Sequence, residues 1–263
     1  MPTSRRPKLG QHFLTSDRYR LRLAQALPIR ASDLVIEIGA GRGAMTGLIA
    51  DRARQLVAVE LDAELAERLK VQFGERNQIE ILQGDILGLD IAAVCRRYDV
   101  GRSFIFGNLP YYITSPILHH LLRFKDYISG MAFVVQREVA LRIAAKPGSR
   151  DYGYLTVLAQ SLTRPRLAFN IPPSAFTPRP AVFSALITFD MGGLLRSNES
   201  RAFLDFVKLG FAQKRKMISN SLSSAYSAAR VREALRGLGL NENVRAEELP
   251  VGDLGRLFEA LKQ

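Results

Sequence analysis

Residues 34–44 read Leu34-Val35-Ile36-Glu37-Ile38-Gly39-Ala40-Gly41-Arg42-Gly43-Ala44, an apolar run that ends in a cluster of glycines. The apolar run, taken from Asp33 to Ile38, predicts a buried strand. Glycine lets the backbone turn sharply and approach a ligand closely, so the loop after this strand is a candidate binding loop. The residues from Ala44 to Arg52 predict a helix, which makes this stretch a strand–loop–helix unit of an α/β fold.

The same alternation of strands and helices extends along most of the chain. Strands that alternate with helices indicate a parallel sheet covered on both faces. The predicted strands are 33–38, 55–60, 78–82, 102–106, 131–135, one near 166–170 and a last one near 183–189, and the predicted helices are 17–27, 44–52, 62–73, 114–124, 137–145 and 154–162.

A change of sequence pattern near residue 195 predicts a domain boundary. Met191-Gly192-Gly193 and Ser197-Asn198-Glu199-Ser200 read as a linker, because small and polar residues break the periodic pattern there. From Arg201 onward the apolar residues recur only at helical spacing. We therefore expect one large domain over residues 1–195 and a small helical domain over residues 196–263.

The composition is that of a globular protein from a reducing compartment. The chain has 263 residues, 47% of them apolar, and no run approaches the ~20 apolar residues that span a membrane. Residues 1–10 lack the apolar core of a signal peptide, so we expect a cytoplasmic protein. The single cysteine, Cys95, excludes an intramolecular disulfide. It forms no recognisable metal-binding pattern with the three histidines, and we expect no metal.

The charge balance predicts a polyanionic partner. Lysine and arginine number 37 against 25 acidic residues, which gives a net charge of +12. Such an excess favours binding to phosphates, although a merely basic soluble enzyme also fits it. The basic residues cluster at Arg5, Arg6 and Lys8, at Arg164, Arg166 and Arg179, and in the triplet Lys214-Arg215-Lys216.

Asn108-Leu109-Pro110-Tyr111 follows another apolar strand and suggests the chemistry. The side-chain oxygen of an asparagine and a backbone carbonyl can accept both hydrogens of an exocyclic amine. An aromatic ring can stack on the base that carries this amine. The pattern is typical of methyltransferases that modify amino nitrogens of bases, but a strand followed by a proline turn with a core tyrosine gives the same four residues.

The glycine loop has two possible ligands. Glu60 lies about 20 residues beyond the loop, where it can bond both ribose hydroxyls of a nucleoside, and this geometry serves NAD as well as S-adenosylmethionine. Asp85 can accept a bond from an adenine amine, although a helix cap or turn explains it too. An NAD enzyme offers no reason for the Asn108–Tyr111 tetrapeptide, which therefore favours S-adenosylmethionine.

Together these motifs resemble the ribosomal RNA adenine N6-dimethyltransferases, and most closely the bacterial 16S rRNA branch, the KsgA family. The resemblance runs nearly end to end. It rests on Lys8–Leu14, Glu37–Thr46, Val59–Asp62, Gly84–Ile86, Asn108–Tyr112, Val135–Ala140, Pro172–Val182, Phe211–Lys216 and Arg245–Leu249. The implied fold is α/β, a Rossmann-like seven-stranded S-adenosylmethionine-dependent methyltransferase sheet whose last hairpin is antiparallel, with a small C-terminal helical domain.

The resemblance also implies where S-adenosylmethionine binds. Gly39 and Gly41 would lie under its methionine part, Glu60 would hold the ribose, and Asp85 with the Ile86 backbone would hold the adenine. Gln11 would help to close the pocket. The other residues that the resemblance places at the cofactor are His12, Leu14, Leu61 and Asn108.

For catalysis the resemblance implies that Asn108 and the Pro110 carbonyl orient the N6 amine. Tyr111 would stack on one face of the extruded adenine, and Phe176 would stack on the other, unless it merely packs beneath its loop. The implied substrate is a pair of adjacent adenines in the 3′-terminal hairpin of 16S rRNA, within an immature 30S subunit. Each would receive two methyls from a monomeric enzyme. The three adjacent cations Lys214–Lys216 favour an RNA contact, although a solvated face also fits them.

Three other readings stay open. The antibiotic-resistance branch of the same family dimethylates an adenine of large-subunit rRNA, but the segment Arg245–Leu249 favours the small-subunit branch. A ribosome-assembly factor could check the subunit by binding alone, although the intact Asn108–Tyr111 motif argues against a dead enzyme. A DNA amino-methyltransferase is the third.

Overall fold

The computed structural model describes residues 12–110, 113–192, 200–213 and 216–262. Its strands are β1 (Phe13–Leu14), β2 (Leu34–Ile38), β3 (Gln55–Glu60), β4 (Ile79–Gln83), β5 (Ser103–Asn108), β6 (Ile128–Gln136), β7 (Thr163–Ile171), β8 (Phe176–Thr177) and β9 (Ser184–Met191). Seven of them form the main sheet, in the order β4-β3-β2-β5-β6-β9-β7. A separate two-stranded sheet joins β1 to β8.

Helices connect the strands and make up the C-terminal part of the described chain. They are α1 (Asp17–Ala26), α2 (Thr46–Ala50), α3 (Ala63–Phe73), α4 (Ile91–Arg97), α5 (Thr114–Leu122), α6 (Arg137–Ile143), α7 (Tyr154–Leu162), α8 (Ser200–Phe211), α9 (Ile218–Ser221), α10 (Ala228–Gly237) and α11 (Val251–Lys262). Most of the predicted helices and strands are present, with ends that differ by a few residues.

The sheet is parallel from β4 to β6, and β9 runs antiparallel to β6. This arrangement confirms the predicted fold class, and the last strand of the sheet along the chain, β9, is antiparallel as predicted. Because parallel strands end at the same edge, the residues that follow β2, β3 and β5 meet there. That edge is where the candidate site lies.

Burial marks β2 as an interior strand of this sheet. All five residues of Leu34–Ile38 are buried, and β3 and β5 flank the strand on its two edges. A strand buried on both faces reads as a continuous apolar run rather than an alternating one. Glu37 is the exception in that run, and its carboxyl is buried with the rest.

The sequence did not predict α4. Its start carries a clear signal, because the Asp90 side chain accepts the Ala93 N–H at 2.9 Å as a helix N-cap. The helix then buries Ile91, Ala92, Val94 and Cys95. The helix is only seven residues long, too short for a hydrophobic period to stand out.

Contacts divide the chain into two compact units. One comprises residues 1–140 and 166–190, and the other comprises residues 141–165 and 191–263. The sequence pattern placed a single boundary near residue 195, whereas the contacts also group residues 141–165 with the C-terminal helices. That grouping is non-local, and no change of sequence pattern announces it.

The second unit has an apolar core of its own, to which both of its segments contribute. Tyr152 is fully buried, and its hydroxyl donates to the Leu249 carbonyl at 2.9 Å. The Tyr152 ring lies 6.1 Å from the Phe211 ring, centre to centre. The Gly148 N–H donates to the Glu247 carbonyl at 2.7 Å.

Candidate active site

A pocket opens at the carboxyl ends of β2, β3 and β5. Its walls come from the glycine loop, the ends of two neighbouring strands, the turn after β4 and the residues around β1. The lining residues are His12, Phe13, Leu14, Glu37, Ile38, Gly39, Ala40, Gly41, Arg42, Ala44, Met45, Val59, Glu60, Leu61, Gly84, Asp85, Ile86, Phe106, Asn108, Leu109, Pro110, Ile113 and Ile117. Candidate cofactor residues and candidate catalytic residues therefore share one cavity.

The glycine loop needs glycine for its backbone and for its packing. Gly39 and Gly41 have φ angles of +68° and +58°, in the left-handed region that side chains disfavour. A Cβ on Gly41 would also come within 3.2 Å of the Phe13 ring. The loop thus presents bare backbone to the pocket, as a close-fitting ligand requires.

Glu60 braces this loop in addition to lining the pocket. One carboxylate oxygen accepts the Gly41 N–H at 2.7 Å, and the other accepts the Asp62 N–H at 3.0 Å. The side chain is only 3% exposed, so these bonds satisfy a buried charge. Each oxygen has a second lone pair, which leaves Glu60 able to accept bonds from a ligand as well.

Glu37 lines the same pocket, and the sequence analysis did not assign it a role. Burial raises the pKa of its carboxyl to about 7, the hydrogen bond from Thr46 opposes this rise, and the nearby Glu60 charge adds to it. The Thr46 hydroxyl donates to Glu37 at 2.7 Å. The available signal was an acidic residue inside an otherwise apolar buried strand.

This buried carboxyl predicts a pH-dependent stability. Its pKa rises from 4.5 to about 7 on folding, so between these values the folded protein holds a proton that the unfolded chain has lost. Stability is therefore full below about pH 4.5 and falls as the pH rises through 7, by roughly 3 kcal/mol at 1.36 kcal/mol per unit. We expect Glu37→Gln, which stays neutral, to remove this fall.

Denaturant unfolding of both proteins at pH 5 and pH 8 measures the effect. Glu64→Gln, at an exposed carboxylate in α3, is the matched control and should keep the wild-type pH dependence. Equal losses of stability in wild type and Glu37→Gln over this pH range would show that Glu37 is ionised in the folded protein.

Asp85, Ile86 and Leu61 form the far wall of the pocket. The Asp85 carboxylate accepts the Leu87 N–H at 2.9 Å and so caps the short 3-10 turn Ile86–Gly88. The cap explanation and the ligand explanation for Asp85 are thus compatible, because the capped side chain is exposed toward the pocket. Ile86 is buried, whereas Leu61 is 49% exposed.

Asn108 is the last residue of β5 and faces the pocket with a fixed amide. Its Nδ2 donates to the His12 carbonyl at 3.1 Å. This bond turns the side-chain oxygen away from His12, so it leaves an acceptor where an amine could donate. Pro110 lines the pocket two residues further on.

A short segment around β1, here called the N-terminal clasp (residues 12–15), forms one wall of the pocket. The Arg42 guanidinium lies over the Phe13 ring, with its carbon 4.4 Å from the ring centre. The β1 strand pairs antiparallel with β8, with Leu14 opposite Phe176. His12 Nδ1 lies 2.7 Å from the Pro178 carbonyl, and the Thr15 N–H donates to the Ala175 carbonyl at 2.9 Å. The clasp thereby joins the glycine loop, Asn108 and the proline-rich loop.

The structure corrects the role predicted for Phe176. Its side chain is only 4% exposed and packs in an apolar cluster with Leu14, Ala175 and Leu186. A ring with so little exposed surface fits the alternative that the sequence left open, packing beneath the loop, better than stacking on a base. The sequence shows that an aromatic residue stands on the proline-rich loop but not which way it points.

Four of the predicted functional residues, Gln11, Tyr111, Lys214 and Arg215, lie outside the described residues. Of the described candidates, the structure brings together His12, Leu14, Gly39, Gly41, Glu60, Leu61, Asp85, Ile86, Asn108 and Pro110 around the one pocket. Within the described ranges, no group of three or more His, Cys, Asp or Glu side chains could hold a metal ion. No helix in the part of the chain that the structure describes could span a membrane.

Comparison with known families gives a match over nearly the whole chain. The family model described as "Ribosomal RNA adenine dimethylase" matches residues 3–263. A protein named "Ribosomal RNA small subunit methyltransferase A" from Acidobacterium capsulatum is 42% identical over 262 residues, 98% of this chain and 91% of the relative. A relative with the same name from Koribacter versatilis is 39% identical, over 99% of this chain and 95% of its own length.

Two solved structures share the fold along most of the chain. The 23S rRNA methyltransferase ErmE is 28% identical, with a TM-score of 0.72 over 95% of this chain and all of that one. A dimethyladenosine transferase from Plasmodium falciparum has a TM-score of 0.77 over 94% of this chain and 96% of its own, and its 20% identity supports the fold alone.

Proposed function

Since the chain belongs to the ribosomal RNA adenine dimethylase family, we propose that it transfers methyl groups from S-adenosylmethionine to N6 of adenines in 16S rRNA. We further propose that the targets are two adjacent adenines of the 3′-terminal hairpin, each methylated twice, in an immature 30S subunit. The enzyme would act as a monomer in the cytoplasm, where subunits assemble.

The observation that carries this proposal is the shared pocket. Asn108 and Pro110, which can accept bonds from an exocyclic amine, line the same cavity as Gly39, Glu60 and Asp85. An amine bound at Asn108 and a nucleoside cofactor bound along the loops would meet within that cavity. Proximity and orientation of this kind contribute much of the rate in a reaction between two bound partners.

The residues of the pocket fit S-adenosylmethionine. The loop at Gly39 and Gly41 is bare backbone, and Glu60 offers lone pairs to hydroxyls. The acidic groups Glu60 and Asp85 suit a ligand that carries positive charge. When bound, S-adenosylmethionine supplies an electrophilic methyl group on a sulfonium.

For methyl transfer, the chain's residues must present the N6 lone pair in line with that methyl. The Asn108 oxygen and the Pro110 carbonyl are proposed to accept the two N6 hydrogens, which turns the lone pair toward the cofactor. The His12 carbonyl holds the Asn108 amide in this orientation. S-adenosylmethionine bound there would give its methyl group to N6 with sulfur as the leaving atom, and N6, acidic once alkylated, would lose a proton to solvent.

Small-subunit rRNA is favoured over large-subunit rRNA by the relatives. Proteins named small subunit methyltransferase A match at 34–42% identity over nearly their full length, against 28% for ErmE. The net charge of +12 suits an RNA substrate of either kind. The helical part of the chain, including Lys214–Lys216, is proposed to contribute RNA contacts.

The decisive experiment uses 30S subunits from a strain that lacks the modification. The subunits are incubated with the protein and S-adenosylmethionine, and the rRNA is digested and analysed by mass spectrometry. We expect N6,N6-dimethyladenosine at two adjacent positions of the 3′-terminal hairpin. Modification of 50S subunits instead would assign the chain to the large-subunit branch, and no product with either subunit would refute the proposal.

The burial of Phe176 predicts a small catalytic effect for a conservative change. Phe176→Leu keeps an apolar side chain in the cluster, so we expect kcat/KM to stay within about threefold and stability to fall by roughly 1 kcal/mol. Phe176→Ala leaves a cavity and should cost about 3–5 kcal/mol. Methylation kinetics and thermal unfolding together test this. A large drop in kcat/KM for a stable Phe176→Leu protein would restore the stacking role.

A further inference from the structure

Two neighbouring apolar side chains, Val182 and Phe183, are exposed directly before β9. Val182 is 45% exposed and Phe183 is 51% exposed, whereas the next residue, Ser184, is buried at 1%. Single exposed apolar residues are ordinary on protein surfaces, so exposure alone carries no conclusion. The position of this pair relative to the candidate active site is what distinguishes it.

Strand register places Phe183 at the same sheet edge as Asn108. Asn108 of β5 lies opposite Val134 of β6, and Gln136 of β6 lies opposite Ser184 of β9. The Arg137 N–H donates to the Phe183 carbonyl at 2.9 Å, which extends this ladder by one residue. Two strand spacings of ~4.8 Å and three residues of ~3.3 Å separate Phe183 from Asn108, roughly 14 Å in all.

The charges around the pair suit a nucleic acid. Arg137, beside Phe183 in the ladder, and Arg179, four residues before it, are both exposed. One exposed carboxylate, Glu138, lies next to Arg137. Aromatic rings surrounded by basic side chains are a common way to hold unpaired nucleotides. The ring stacks on the face of the base, and the basic side chains neutralise the phosphate of the same nucleotide.

We propose that Val182 and Phe183, flanked by Arg137 and Arg179, form a stacking platform for an rRNA nucleotide next to the target adenine. This proposal rests on the proposed function and adds a second contact for the same substrate. The platform would hold the flanking nucleotide while the target base is turned into the pocket. Its ring contacts no reacting atom, so its contribution is to substrate binding rather than to the methyl transfer step.

An RNA occupant fits the platform better than a protein occupant. A stable protein interface buries about 800 Å² on each partner, far more than two side chains supply. One stacked base needs only a single exposed ring. The platform also lies at the same sheet edge as Asn108, which lines the pocket.

Methylation kinetics on 30S subunits test the platform with four variants. We expect Phe183→Ala to raise KM about 5- to 30-fold and to leave kcat within about twofold. This rise in KM corresponds to the lower part of the free-energy range for losing one base–aromatic stack. Phe183→Leu, which is apolar but not planar, should behave like Phe183→Ala, and Phe183→Trp should stay near wild type. Tyr127→Ala, at an exposed aromatic before the opposite end of β6, is the matched control and should leave KM unchanged.

Only this order of KM values, near wild type for Phe183→Trp and raised for Phe183→Leu and Phe183→Ala, supports stacking. An unchanged KM for Phe183→Ala would overturn the platform. Wild-type KM for Phe183→Leu would also overturn it, since any apolar side chain would then suffice, as expected for a protein contact. A raised KM for Phe183→Trp would show that planarity is not what the site requires.

A binding measurement separates failure of the platform from failure of the proposed function. The chain contains no tryptophan, so Phe183→Trp provides a single reporter. Biosynthetic 5-hydroxytryptophan at this position can be excited apart from the tryptophans of ribosomal proteins. We expect saturable quenching on titration with 30S subunits, and none for Tyr127→Trp. Binding without quenching refutes the platform, whereas quenching without turnover refutes only the proposed reaction.

Discussion

Asn108→Ala is expected to reduce methyl transfer at least about 100-fold while leaving S-adenosylmethionine affinity within a few-fold. The side-chain oxygen is the acceptor proposed to orient the amine, and misplacement of a reacting group by 1 Å can cost a factor of this size. The cofactor walls at Gly41, Glu60 and Asp85 do not depend on this side chain for their hydrogen bonds. Single-turnover methylation and calorimetry with the cofactor measure the two quantities separately.

A second substitution at this position tests the hydrogen bond from the Asn108 amide to the His12 carbonyl as well as the acceptor oxygen. Asn108→Asp keeps an acceptor oxygen but cannot donate to the His12 carbonyl, as Nδ2 does at 3.1 Å. We expect its rate to lie between those of wild type and Asn108→Ala. Asn77→Ala, at an exposed asparagine, is the control and should be indistinguishable from wild type. Near-normal turnover of Asn108→Ala would remove Asn108 from the mechanism.

Glu60→Ala is expected to weaken S-adenosylmethionine binding by roughly 1–3 kcal/mol, about 5- to 150-fold in Kd. Part of this loss would come from the missing charged bond to the ribose. Another part would come from the glycine loop, because the Gly41 N–H loses its 2.7 Å partner. The free energy of unfolding should fall as well, since a buried donor is left without an acceptor.

Glu60→Gln helps to separate these contributions. Its amide has one acceptor oxygen, so it can serve either the Gly41 N–H or the Asp62 N–H but not both as the carboxylate does. We expect a smaller loss of affinity than for Glu60→Ala. Glu64→Ala, at an exposed carboxylate in α3, should bind normally. Calorimetry that finds unchanged affinity for Glu60→Ala would mean that the ligand does not touch this wall.

The sheet and its binding edge were predictable from the sequence because their signals are local. The strand Gln55–Glu60 was predicted with its observed bounds. The apolar run before Gly39 could hardly form anything but a buried strand, and the glycines mark the turn that follows. Strand–helix alternation then implies that Glu60 and Asn108 meet at one edge, as the shared pocket shows.

Contacts between distant parts of the chain could not be predicted in the same way. The strands β1 and β8 have two residues each, too few for any periodic signal. Their pairing joins residues far apart in sequence and depends on the tertiary fold. The grouping of residues 141–165 with the C-terminal helices has the same origin.

Within the site, the sequence did not predict which side chains point into the protein core. Phe176 stands on a loop rich in proline, which suggested an exposed ring, yet it is buried. Glu37 is an acidic residue in a strand, and only the surrounding fold shows that it is buried beside Thr46. In both cases the burial comes from neighbours elsewhere in the chain.

The pairing of the N-terminal clasp with residues 175–178 determines when this wall of the pocket can form during synthesis. Synthesis begins at the N-terminus, and domains fold as their residues emerge. Residues 12–15 leave the ribosome about 160 residues before their partners at residues 175–178. Gly41, Glu60 and Asn108 are all synthesised before then. A nascent chain therefore carries the binding loops of the pocket before the N-terminal clasp can pair with residues 175–178.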